Sequence, residues 1–135
     1  MFSSHLVVLT HHIVWGGVDE NIQPEVFANA DGSWISFSCD ATSNQRFETI
    51  VLPELVKVQE RGISVICIAG DLGQKASTYE YTNDDGLLFL GSGITSETDW
   101  NEQFPTAGQK DKVLRLLHDV EHRELTWEFI NIEDI

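Results

Sequence analysis

Two short apolar runs flanking one amphipathic helix constrain this chain more than any other feature. Residues 5–10 read His-Leu-Val-Val-Leu-Thr and residues 63–69 read Ile-Ser-Val-Ile-Cys-Ile-Ala. Both are β-branched and almost without polar interruption, the pattern of buried strands. Between them Val51, Leu55 and Val58 recur at i, i+4 and i+7, with Leu52 and Val56 alongside. That stripe predicts a helix with one buried face. Pro53 is tolerable only in a first turn, which sets the start near residues 50–52. Arg61 in the last turn and Gly62 just after it are stop signals. Strand, helix, strand predicts a βαβ unit with a right-handed crossover and parallel strands.

The rest of the pattern is antiparallel. Residues 77–82 alternate around Tyr79 and Tyr81, Asn83-Asp84-Asp85-Gly86 forms a turn, and Leu87-Leu88-Phe89-Leu90 follows, which predicts a hairpin. A second hairpin pairs residues 112–118 with 124–132 and sets Leu125, Trp127 and Phe129 on one face. Two polar stretches stay outside this scheme. Residues 13–46 hold a single candidate strand, 34–38, and are too long for an idle connection. Residues 92–108 read as a loop holding Trp100 and Phe104. With 135 residues there is room for one core and one domain, 1–135. The expected class is α/β in the α+β sense: a single mixed sheet with one βαβ unit and two C-terminal hairpins.

Composition excludes several partners. Eight Lys and Arg stand against 22 Asp and Glu, a formal charge of -14. Such a surface repels phosphate backbones and anionic lipid, so neither nucleic acid nor membrane is an expected partner. No stretch is apolar and long enough to span a bilayer, and residues 1–4 lack the basic region of a signal peptide, so a cytoplasmic location is expected. Cys39 and Cys67 do not make a disulfide framework, and Cys67 sits in an apolar run as a small buried hydrophobe.

The chemistry-bearing residues fall at the carboxyl ends of the two parallel strands. The first ends in Thr10-His11-His12 and the second in Gly70-Asp71-Leu72-Gly73. Ligands of open α/β sheets bind outside these ends. His11 and Asp71 are therefore expected at one sheet edge, their Cα atoms within about 10 Å, roughly two strand spacings. Imidazole plus carboxylate suits zinc, manganese or iron. Each residue also has an ordinary reading. His11 could be a strand-end histidine satisfied by backbone, and Asp71 an Asx-type turn former between glycines. Only one of His11 and His12 can point into a shared site, because neighbouring strand residues face opposite ways. His5, His118 and His122 carry no metal spacing and read as surface or strand-edge residues. The four tryptophans read as core and loop anchors.

Val7-Val8-Leu9-Thr10-His11-His12-Ile13-Val14-Trp15 resembles the calcineurin-like metallophosphoesterase segment in which an apolar strand ends in a metal-binding histidine. Val65-Ile66-Cys67-Ile68-Ala69-Gly70-Asp71-Leu72-Gly73 resembles the strand leading into that family's closing Gly-His-x-His motif. Residues 85–93 and the last hairpin look like its late strands. The resemblance covers nearly the whole chain, as the second half of the family's pattern. It implies half of a two-sheet sandwich, phosphate-ester hydrolysis, a divalent metal (Mn, Fe or Zn), His11 as a ligand, Asp71 as a candidate ligand, and His12 beside them or contacting substrate.

The chain also departs from that pattern. Asp71 and Gly73 stand at the two histidine positions of the closing motif, and the family's Asp-x-His, Gly-Asp and Gly-Asn-His-(Asp/Glu) motifs have no counterpart. Two-metal hydrolysis needs both ions held a few ångströms apart, so the isolated chain is expected to be inactive. Three readings follow: a partial phosphoesterase whose missing half is supplied elsewhere, a non-catalytic scaffold or binding module on the same half-fold, or a plain α/β domain. A parallel sheet continuing beyond the two predicted strands supports the third. A half-sandwich would also leave an apolar sheet face and open edges, so either a homodimer or the segment 13–46 is expected to cover them.

Overall fold

A computed structural model of the chain describes residues 3–11, 13–15, 47–70, 78–93 and 112–135. The predicted strand, helix and strand are present as β1 (His5–Thr10), α1 (Leu52–Glu60) and β2 (Ser64–Ala69). β1 and β2 pair in parallel along their whole length, from His5 opposite Ser64 to Thr10 opposite Ala69. Gly62 follows the helix at φ +80°, a conformation that suits a residue without Cβ, so the chain reverses there into β2.

Ahead of α1, Phe47–Val51 forms a π-helical turn. Its wider winding shifts the phase of the stripe. Leu55 is buried and Leu52, Val56 and Val58 pack on the core, whereas Val51 turns outward and is exposed. The sequence spacing that put Val51 on the buried face assumed 3.6 residues per turn throughout.

β3 (Thr78–Thr82) and β4 (Leu88–Ser92) form the expected antiparallel hairpin. Its turn is closed by the Gly86 amide on the Asn83 carbonyl at 2.9 Å, and the Leu87 amide donates to Asn83 Oδ1 at 2.8 Å. β4 also pairs in parallel with β2, giving the order β1-β2-β4-β3. The parallel sheet thus extends to a third strand.

The second hairpin, β5 (Lys112–Asp119) and β6 (Glu124–Asn131), has the expected partners but corrects the expectation of a single sheet. It is a separate two-stranded sheet. Leu114, Leu116, Leu125, Trp127 and Phe129 turn together onto Ile66, Leu88 and Leu90 of the main sheet. Trp127 Nε1 donates to Glu80 Oε2 at 3.1 Å and ties this layer to β3. The stripe on one face of the hairpin is buried by stacking a second layer, since a lone two-stranded ribbon cannot bury it alone.

The main sheet is therefore covered on both sides at its centre. Ile13, Trp15, Phe47 and Leu55 lie over Val65, Cys67 and Phe89 on one face, and the hairpin lies over the other. The central face from which a homodimer was expected is occupied by β5 and β6. Exposed apolar side chains remain at the margin: Leu6 and Leu9 on β1, Leu117 and Val120 on the hairpin. Among the described residues no helix is long and apolar enough to cross a membrane.

Gln59 fastens the three parts of the main layer. Its Oε1 accepts the Val65 amide at 2.8 Å and its Nε2 donates to the Gly86 carbonyl at 3.1 Å. One side chain thereby joins the end of α1, the start of β2 and the β3–β4 turn. Gln59→Ala leaves the amide of buried Val65 without that acceptor, and the expected loss is about 1–3 kcal/mol in chemical denaturation. A change below a few tenths would mean that water replaces both bonds.

Candidate functional site

Three strands deliver their carboxyl ends to one place. In the parallel register His11 follows Thr10 as Gly70 follows Ala69, and β4 ends alongside at Ser92 and Gly93. A Cβ placed on Gly70 would lie 3.6 Å from the His11 carbonyl oxygen and 3.8 Å from that of Ser92. The three chain ends are in van der Waals reach, and a Cβ at position 70 would fit among them in ordinary contact.

Local bonds fix this edge. Thr10 Oγ1 donates to the Ile68 carbonyl at 3.4 Å, across β1 and β2. Ser92 Oγ donates to the Lys112 carbonyl at 2.9 Å and holds the start of β5 against the end of β4. The strand ends and β5 border an open, shallow cavity of about 620 Å³ lined by Leu9, Thr10, His11, Ile68, Ala69, Gly70, Ser92, Gly93, Lys112, Val113, Leu114 and Leu116. Its lining is mostly apolar and includes four polar residues, Thr10, His11, Ser92 and Lys112.

Of the sequence-predicted site residues, His11 stands at this edge and is exposed. His12 and Asp71 lie outside the described residues, and with them the expected proximity of His11 and Asp71; what the structure describes there is Gly70 beside the His11 carbonyl. Ser92, Gly93 and Lys112 carry no site signal in the sequence, where they read as late-strand, loop and hairpin residues. The available signal was the unbroken apolar run of residues 87–90, the mark of a central strand covered on both faces. A central β4 brings its own carboxyl end to the site.

The donor set can be tested against a metal. Among the described residues no three His, Cys, Asp or Glu side chains converge. One imidazole and two neutral hydroxyls do not make up a cage for Zn, Mn or Fe, which needs three or four such ligands with supporting partners. The described residues alone do not fit a resident metal.

Cys67, on β2 just behind this edge, is a free thiol wholly buried against the helix face, as the apolar run predicted. Burial pushes its pKa up to about 12, so it is a packing group and not a nucleophile. Comparison with known proteins gives no match: no family model, no curated protein and no solved structure is significantly similar to the chain.

Proposed function

We propose that the edge formed by β1, β2 and β4 is one part of a phosphate-ester-hydrolysing site of the metallophosphoesterase type, inactive within residues 1–135 by themselves. The observation that carries this reading is the convergence of the His11 and Gly70 strand ends, the two positions where the sequence resembles that family. His11 is then one ligand of a divalent ion (Mn, Fe or Zn), with Asp71 a further candidate and His12 beside them. The remaining ligands come from outside residues 1–135, on a partner polypeptide or a second copy. The outer edge of β1, with Leu6 and Leu9 exposed, is the surface such a partner would extend. We place the protein in the cytoplasm, a setting that suits the free buried thiol of Cys67.

Calorimetry with Mn or Zn, paired with assays on generic phosphomonoesters and diesters, tests this. Metal binding is expected to be weak and to fall in His11→Ala by more than the roughly 10–100-fold that supporting partners of a ligand are worth. No turnover above background is expected from the chain alone. Binding unchanged in His11→Ala would overturn the assignment of His11. Turnover that vanishes in the same variant would show that the chain assembles a complete centre.

A second reading rests on a specific observation, the parallel pairing of β4 with β2. A three-stranded parallel core supports a plain α/β domain whose likeness to the phosphoesterase motifs is coincidental, with any ligand held in the 620 Å³ cavity without a metal. Metal-independent ligand binding that survives His11→Ala would favour it.

A further inference from the structure

We propose that the opposite end of the molecule, where the tip of the β5–β6 hairpin crosses the start of β1, is a binding site for a phosphate-type oxyanion held by His5, His118 and Arg123. The alternation of each strand brings these groups together. His118 pairs with Leu125 in the hairpin register, on the face that also carries Leu116 and Trp127 and turns to the main sheet. It meets His5, the first residue of β1, edge to face with ring centroids 5.3 Å apart. Both residues line a cavity of about 710 Å³ together with Ser4, Arg123, Val7 and Leu125.

Arg123 closes the hairpin turn at φ 57°, the one described non-glycine residue with a positive φ. Glycine or asparagine is usual at such a position, so the backbone here does not call for arginine. The turn is braced by Asp119. Its Oδ1 accepts the His122 amide at 2.9 Å and its Oδ2 lies 2.7 Å from His122 Nδ1. Those bonds to His122 hold the Asp119 carboxyl below its ordinary range.

The electrostatics choose an anion over a metal. Two imidazoles could take a cation, but a guanidinium beside them opposes one. Burial first, then His118 and Arg123, hold the His5 pKa below its ordinary 6.5, while its Nδ1 sits 2.9 Å from Ser4 Oγ. Each of these charges acting on His5 is cationic, on a chain whose net charge is -14. An oxyanion would take charge-assisted hydrogen bonds from all three groups and favour protonated His5. The sign for stability follows. The folded state binds the His5 proton less readily than the unfolded chain, so acidification below about pH 6.5 lowers stability. A bound anion reverses that trend.

NMR of the histidine side chains during titration with inorganic phosphate, at pH 6 and pH 8, tests the site. Saturable shifts of the His5 and His118 resonances are expected, with binding about tenfold tighter at pH 6 than at pH 8, because the anion favours protonated His5. Arg123→Gly is the decisive variant. Glycine suits φ 57°, so the thermal midpoint should hold or rise while phosphate binding is lost. Acetate in a parallel titration should bind more weakly, because a trigonal carboxylate offers two oxygens to three donors. No saturable shift at millimolar phosphate, unchanged binding in Arg123→Gly, or acetate binding as well as phosphate would each overturn the proposal.

Discussion

Trp15→Ala is expected to destabilise the fold by about 3–5 kcal/mol, the usual cost of emptying a buried tryptophan site. Trp15 is fully buried, between Phe47 at 6.1 Å and Phe89 at 5.3 Å between ring centroids. It stands where the chain leaves β1 and is the largest buried side chain on the helix face of the sheet. Removing it takes away two tilted aromatic contacts, each worth about 0.5–1.5 kcal/mol beyond area burial, and opens a void under α1. The indole also carries a cost. Its Nε1 is buried and has no hydrogen-bond partner among the described residues, a state that ordinarily costs about 1–3 kcal/mol. Trp15→Phe removes that donor while keeping most of the ring, so it should cost less than half of what Trp15→Ala costs. Equilibrium denaturation of the two variants decides the matter. Equal losses would show that the indole N–H is satisfied and that its bond matters.

The sequence made the βαβ unit legible because its signals are local. The two apolar runs, the stripe between them, Pro53 and Gly62 each act within one turn or one strand. The hairpin turns were legible for the same reason: Asn83 and Gly86 close their turn with short-range bonds. Strand order was not legible, because pairing depends on partners far along the chain. Residues 87–90 were read as the far arm of a hairpin, when their fully apolar pattern already marked a strand lying between two others. The alternation of Leu125, Trp127 and Phe129 correctly showed one buried face but not which surface it meets. A face can be buried by extending a sheet or by stacking on it, and alternation is the same in both.

The candidate sites divide along the same line. A parallel crossover alone implies that the ends of β1 and β2 meet, which is why His11 and Asp71 are expected at one edge; Asp71 lies outside the described residues, and His11 and Gly70 mark the edge. Ser92, Gly93 and Lys112 join them only once β4 sits beside β2. His5 and His118 were read as unrelated surface residues. They meet because the hairpin stacks across the sheet, a contact with no trace in the local sequence of either. Gln59, whose side chain links three elements, likewise looks in the sequence like an ordinary polar helix residue.

Cys67 offers the second large effect, a kinetic one. A thiol whose pKa is pushed from 9.0 up to about 12 holds roughly a thousandth of the ordinary thiolate at neutral pH, and thiolate is the reacting species. In a Cys39→Ser background, modification of the native protein by a disulfide reagent at pH 8 should therefore be at least about a thousandfold slower than that of the unfolded chain. Packing strengthens the expectation, because Cys67 is wholly buried between the helix and β2's neighbours Val8 and Phe89. A reagent can reach it only when the central strands part. Its labelling rate should consequently follow the opening of the sheet core, rising with denaturant in step with unfolding. Trp15→Ala, which weakens the same face, should accelerate labelling in proportion to its loss of stability. Fast labelling of the native protein, indifferent to Trp15, would mean that β2 opens locally and that the centre of the sheet is not the most protected part of the fold.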